Sequence, residues 1–332
     1  MGLADVAREV GAHQRQRKDR DVEDGVPERD LREVACRDLG TSSSEPAEKV
    51  RAVSTSSDGR RARGWPTVRA ESVSGYEFQG RNLPVLLDCV TPEGAGLACV
   101  VKLAARLEQP DDALWSEWVA GRIADAVGIF VPRRYVVEIS PTLSGLLAKH
   151  LKPKPGQTIT PDEYAGPSLG VEYLRNVQPV PKEENALEEQ LRVSAAEIAV
   201  FDAFIENLDR RPTNPNCLVH GTAPPRLVAI DHDLAFAGLW LPVIGGSTWP
   251  TDLLARHLFT RRFGKNRPSV SRIKTAIGGL SDEFLDGLPE DVPSGWLSAH
   301  ASGKLTSVIR TLKIRRDTVD DWFSHVENWL NS

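Results

Sequence analysis

Asp209, Asn214 and Asp231 fall within one stretch, Ile205 to Phe236, at spacings that could serve phosphoryl transfer. Asp-x-x-x-x-Asn, here Asp209 to Asn214, sets a carboxylate beside a neutral amide oxygen. The carboxylate can orient an attacking hydroxyl or take its proton, and a hard cation accepts the amide oxygen. Asp231 ends the apolar run Leu227-Val-Ala-Ile230. An acid at the end of a short strand, at the mouth of a cleft, is placed to bridge a metal to phosphates. Phosphoryl transfer needs phosphates held, their charge neutralised and the nucleophile aimed, with little covalent help. Asp209, Asn214 and Asp231 are therefore the candidate catalytic residues, and Asn214 and Asp231 the candidate Mg²⁺ ligands. The bland readings are a helix-end turn for Asp209, a turn in a Pro-rich loop for Asn214 and a surface acid for Asp231. They weaken because all three occur together. Asn216 competes with Asn214 for the cation.

A phosphate-binding cation is also required, and Lys102 supplies one inside the apolar run Leu97 to Leu103. Glu117, on the helix that follows, is its candidate ion-pair partner; such a pair fixes a strand lysine against the phosphates. An exposed helix acid is the competing reading for Glu117. No G-x-G-x-x-G and no Walker motif occurs, so a P-loop enzyme is disfavoured. Gly75 and Gly80, with Arg81 and Asn82, are read as a loop covering the phosphates, and which residues form that loop is left open. Asn207 reads as a loop brace or helix cap, and Arg210 and Arg211 as binders of substrate anions or partners of nearby acids. His232 is assigned to packing or local hydrogen bonding, and Asp233 to a supporting role. A doublet of acids about His232 within an apolar context is costly to bury unless paired or metal-bound.

The elements that must position these residues follow from periodicity. VRAESV, LPVLLDCV and LACVVKL read as three antiparallel strands, with TPEGAG as a turn. A helix is expected from about Ala113 to Gly128, one face carrying Trp115, Trp118, Val119 and Ile123. The small residues beside Glu117, including Gly121, would allow close approach to a strand. RRYVVEI is a further strand and LSGLLAKHL another candidate. VEYL, 171–174, is read as a hinge, which makes Glu172 and Tyr173 candidate nucleotide-binding residues. A long apolar-striped helix from about Ala186 to Asn207 delivers its end to the Asp209 loop. After Phe236 an aromatic, glycine-containing loop is followed by mostly helical segments: LLARHLFTRRF, VSRIKTAIGGL, WLSAHASGKLTSVIRTL and TVDDWFSHVENWL.

The 332 residues carry a net charge of -5, with 40% hydrophobic and 26% charged residues. That is ordinary for a soluble globular chain with a sizeable core. It offers no general electrostatic reason to bind nucleic acid or an anionic membrane. No apolar run reaches the length of a membrane span, and the first residues lack the apolar core of a signal peptide. Cys36, Cys89, Cys99 and Cys217 are scattered without metal-ligand spacing, which favours a reduced, cytoplasmic setting. Residues 1–65 are dense in both charge signs and in serine, with no aromatic before Trp65. Such a segment buries too little apolar surface to offset its ordering entropy, so a disordered tail is expected there.

At NLDRRPTNPN and LVAIDHDLAF the sequence resembles the HipA-like kinases, in particular their short stand-alone branch. The quoted residues are Asn207, Asp209, Arg210 and Asn214, the extension Asn214-Pro215-Asn216, and Ile230-Asp231-His232. Upstream, CVVKL and SEWVAGRIADAVGIFVP resemble the family's strand lysine, Glu-containing helix and exit, and GRNLPVLL its first glycine-containing turn and strand. Asp233 stands where many relatives have glycine. The resemblance implies an α+β, two-lobed protein-kinase-like fold, with a small antiparallel-sheet lobe and a mostly helical large lobe. It places a kinase domain over 66–332, with the small lobe and hinge at 66–177 and the helical lobe at 178–332. It implies ATP and Mg²⁺ as cofactors, and transfer to a serine or threonine hydroxyl. The phosphoacceptor, protein or small molecule, is left open, and a protein regulator is a possible partner. A kinase-fold enzyme acting on a small molecule or lipid, AMP transfer, and a nucleotide-binding pseudokinase stay open as alternatives; Lys102, Asp209 and Asp231, all present, weigh against the last.

Overall fold

The computed structural model describes residues 66–78, 82–151, 158–180, 187–221, 224–239, 255–259, 263 and 268–330. These residues belong to one compact unit, Arg60–Ser332. The expected tail, 1–65, lies outside the described residues. So do Gly80 and Arg81 of the proposed phosphate-covering loop, and Leu253, Leu254, Thr260, Arg261 and Arg262 of the expected LLARHLFTRRF helix.

The fold is mixed α/β. It begins with β1 (Thr67–Glu77), β2 (Val85–Val90) and β3 (Gly96–Lys102), antiparallel in sequence order. β4 (Arg134–Ile139) and β5 (Gly166–Glu172) complete a closed five-stranded barrel in the order β1-β2-β3-β5-β4. The closing pair, β1 with β4, is parallel, with Thr67 opposite Val136. Closure removes the open edges that a flat five-stranded sheet would present. The expectation of a simple antiparallel sheet is corrected here to a barrel. Val85, Leu87, Cys99, Val101 and Val137 fill its interior.

α1 (Pro110–Val127) follows β3 and begins with proline in its first turn, where the missing N–H is not needed. It ends at Gly128, whose φ of 75° needs a residue without Cβ strain. α2 (Pro141–His150) occupies the LSGLLAKHL segment, where a strand was the expectation. Ser140 caps it by accepting from Leu143 N at 3.2 Å, and proline sets the first turn. Leu143 and Leu147, one turn apart, face the barrel core. A short apolar run does not distinguish strand from helix by itself; the Ser-Pro start decides it.

β5 leaves the barrel at Glu172, and four residues later the chain enters a second sheet, β6 (Val177–Pro179), β7 (Cys217–His220) and β8 (Arg226–Ala229), all antiparallel. α3 (Glu189–Ile205) packs on β8. Among the described residues four further α-helices follow: α4 (Ser271–Gly278), α5 (Asp282–Gly287), α6 (Ala299–Asp317) and α7 (Val319–Leu330). A second, larger core joins α1, α3, β8 and these helices. The late helices hold α1 along its length. Lys304 pairs with Asp112 at 2.7 Å, Asp291 with Arg122 at 3.1 Å, and Arg272 Nη1 donates to Val127 O at 3.0 Å.

Gly121 sits mid-helix on α1, where glycine costs about 1 kcal/mol relative to alanine. A Cβ there would lie 2.2 Å from the Cζ of Arg134, whose buried guanidinium pairs with Asp125. The glycine's reason is this close approach of β4 to the helix. Gly121→Ala is therefore expected to lower the urea midpoint, by an overpacking cost of about 1–3 kcal/mol. In an Arg134→Ala background the same change should stabilise. A gain in the wild-type background would show that the guanidinium yields freely.

Candidate active site

Lys102 ends β3, and its ammonium gathers three carboxylates, one from α1 and two from the turn after β8. Glu117 Oε2 of α1 lies at 3.1 Å, Asp233 Oδ2 at 3.3 Å, and Asp231 Oδ1 makes a short ion pair. Burial by itself disfavours the ammonium, but the three acids outweigh it and hold the Lys102 pKa well above its usual range. Burial likewise works against a charged Glu117, yet Lys102 and His232 hold its carboxyl well below the ordinary value. Asp233 behaves differently: burial pushes it up to about 7, and Asp231 and Glu117 add to the effect of burial while Lys102 opposes it. Asn82 Nδ2 donates to Asp233 Oδ2 at 2.5 Å. Three acids against one ammonium leave an excess of negative charge at the end of the barrel.

Asp231 follows β8 with φ at 59°, a left-handed conformation that aspartate tolerates better than most residues. Four of the six non-glycine residues with positive φ among those described, Glu206, Asn216, Asp231 and Phe236, fall between 206 and 236. Backbone strain of this kind persists only where surroundings over-determine it, and it clusters at functional sites. The side chain of Asp231 is 36% exposed, against 6% for Glu117 and 12% for Lys102. Of the three acids it is the one open to a ligand.

The Asp209 loop begins where α3 ends. Asp202, fully buried on α3, accepts from Asn207 Nδ2 at 3.0 Å, Arg210 Nε at 2.5 Å and His257 Nε2 at 2.9 Å. Burial opposes its charge, but Arg210 and His257 keep the carboxyl far below its normal value. Burial lowers the His257 pKa as well. Asn207 Oδ1 accepts from Asp209 N at 3.3 Å, so the loop is braced from both sides. Asp209 Oδ2 accepts from Asn214 Nδ2 at 2.8 Å and from Asn216 Nδ2 at 3.3 Å. Arg210 Nη1 reaches the carbonyls of Asn216 and, at 3.3 Å, Ile230. Ile230 N donates to Asn216 O at 3.0 Å, which ties the loop to the residue before Asp231.

His232 is buried between the two groups. Its backbone N donates to Glu117 Oε2 at 2.6 Å, and its Nδ1 lies 3.5 Å from Glu117 Oε1. Its Nε2 lies 3.0 Å from Arg210 Nη2. Glu172 and Tyr173 stand where the chain leaves the barrel. The backbone N–H of Glu172 donates to Arg133 O at 2.8 Å, and that of Tyr173 to Ala98 O at 2.9 Å. Any adenine contact at these two residues would therefore use a carbonyl or side chain. Tyr173 is 41% exposed.

Asp202 and His257 are the residues that sequence reasoning passed over. Asp202 had a signal: an acid inside Val200-Phe-Asp-Ala-Phe-Ile205 has no solvent face and must be paired. His257 had none. Among the described residues no group of three or more His, Cys, Asp or Glu side chains is arranged to hold a metal ion, because the acids near Lys102 turn onto its ammonium. The donor set still fits Mg²⁺, which is bound through one or two carboxylates completed by water and substrate phosphates. The half-open Asp231 and the Asn214 amide oxygen are of the required type.

No curated protein matches the chain. The family described as HipA-like kinase matches residues 95–259. That span holds Lys102, Glu117, Glu172, Tyr173, Asp209, Asn214 and Asp231, so that over residues 95–259 this chain belongs to the HipA-like kinase family.

Proposed function

We propose that the chain is an ATP-dependent phosphotransferase of two-lobed kinase architecture, with the barrel and α1 forming the nucleotide side and the Asp209 loop the acceptor side. The observation that carries this reading is the convergence on Lys102 of Glu117 from α1 and Asp231 from the turn after β8, with the Asp209 loop bonded to the same turn through Ile230 and Asn216. Lys102 would hold nucleotide phosphates, fixed by Glu117. Asn214 and Asp231 would hold Mg²⁺, which when bound neutralises charge on the phosphates. Glu172 and Tyr173 border the adenine end. The acceptor is a hydroxyl; its oxygen bonds to the γ-phosphorus as the bond to the ADP oxygen breaks, and its proton passes to Asp209. Asn214 and Asn216 orient the Asp209 carboxylate for that role. A serine or threonine acceptor on a protein is the reading that the family favours. Among the described residues no helix is long and apolar enough to cross a membrane.

The test is incubation with Mg²⁺ and ATP labelled at the γ or the α position, followed by analysis of the protein, an added protein mixture and small-molecule products. Label from the γ position alone, with ADP formed, is the expected result. Label from the α position would make the enzyme an AMP transferase. If ATP is not consumed and Mg-ATP leaves the melting temperature unmoved, the proposed function fails, since a ligand bound only by the folded state must raise it.

A further inference from the structure

The hydrogen bonds of His232 tie together two parts of the site that come from different places in the chain. Arg210 can only donate, so the Nε2 of His232, 3.0 Å from Arg210 Nη2, is an acceptor. The ring hydrogen is then on Nδ1, on the side of Glu117 Oε1 at 3.5 Å. The backbone N of the same residue donates to Glu117 Oε2, the oxygen that also faces Lys102. Around this residue runs an unbroken buried series: Lys102, Glu117, His232, Arg210, Asp202. The Phe201 ring meets the imidazole edge-on at 5.9 Å, fixing its plane.

We propose that His232 is a positioning residue that couples the Lys102–Glu117 pair to Arg210 of the Asp209 loop. The inference rests on the kinase reading above and adds to it a link between the nucleotide side and the acceptor side. Arg210 is held by Asp202 on one face and meets His232 on the other. A displacement of Glu117 is therefore felt at the residue next to Asp209, and the reverse. Low-dielectric surroundings make such a linkage costly to break at any one member.

The experiment is a double-mutant cycle on the full chain, pairing Glu117→Gln with Arg210→Lys, in the wild-type background and in His232→Phe, which keeps a ring against Phe201 but removes both nitrogens. Contacting or networked residues depart from additivity, and unlinked ones do not. In the wild-type background the double variant should lose about fivefold less kcat/KM for ATP than the product of the single losses. In His232→Phe the losses should multiply. His232→Phe alone should lower kcat and raise the KM for ATP together, whereas a lower fraction of folded enzyme would reduce kcat at constant KM. His232→Gln, which restores a donor and an acceptor, should recover part of both. The same cycle read from urea midpoints needs no activity and no high yield. It separates the two readings: wild-type protein without phosphotransfer sinks the proposed function, while non-additive midpoints still support the bridge. Additive losses in the wild-type background, or undiminished non-additivity in His232→Phe, overturn the bridge itself.

Discussion

Asp209→Asn is expected to cut phosphotransfer by about 10²–10⁴-fold, the contribution usual for a positioned general base, and to leave Mg-ATP binding intact. The amide matches the carboxylate in shape. It could still accept from Asn214 and Asn216, which now meet Asp209 Oδ2 at 2.8 and 3.3 Å. The brace from Asn207 to the backbone N of residue 209 is untouched by the change. What is lost is the ability to accept a proton from an attacking hydroxyl. The groups proposed to hold nucleotide, Lys102 and Asp231, lie in a separate cluster with its own partners. Single-turnover transfer from γ-labelled ATP, measured beside nucleotide affinity, checks both halves. A variant that transfers phosphate at the wild-type rate removes Asp209 from the mechanism; one that no longer binds nucleotide makes its role structural. Asn214→Ala offers the contrast. It removes a proposed Mg²⁺ ligand, so its defect should lessen as Mg²⁺ is raised, while that of Asp209→Asn should not.

How much of this could be read from the sequence depended on the distance over which each feature is encoded. Asp209 and Asn214 lie five residues apart, and Asp231 ends its own apolar run, so spacing alone singled them out. Lys102 and Glu117 needed one further step, from a strand lysine to the next helix. The barrel was not legible, because its closing pair joins Thr67 to Val136, and no local pattern encodes a pairing between strands so far apart. The α2 segment was misread for a local reason: the Ser140-Pro141 cap signal stood beside a run whose periodicity was too short to decide. Asp202 and His257 meet through a tertiary contact, 55 residues apart. The apolar neighbours of Asp202 say that it must be paired, but not that its partners are Asn207, Arg210 and His257. Asp233 was expected to play a supporting role; its hydrogen bond from Asn82 crosses 151 residues of chain and has no sequence signature.

Lys102→Met should weaken the fold as well as the activity, by about 3–5 kcal/mol at neutral pH, the usual cost of leaving a buried charge without its partner. Methionine fills similar volume, so the loss is electrostatic. Glu117 and Asp233 are buried and cannot reach water; Asp231, half-open, can relax toward it and should add little. The pH dependence carries the sign. In the wild type the Glu117 pKa is depressed, so its contribution is present above the unfolded value, about 4.3, and lost only as pH falls through the lower folded value. Without Lys102, burial dominates and the folded pKa of Glu117 rises above the unfolded one. Its stability contribution is then present in acid and lost as pH rises. The deficit of Lys102→Met relative to wild type is therefore expected to be large at pH 7.5 and to shrink toward pH 5, as measured by urea unfolding. Adding Asp233→Asn should recover part of it at pH 7.5, because it removes one of the stranded acids and keeps an acceptor for Asn82. Equal stability of wild type and Lys102→Met at both pH values would mean that the carboxylates are not balanced by this ammonium, and that the charge argument for a phosphate-binding lysine here is wrong.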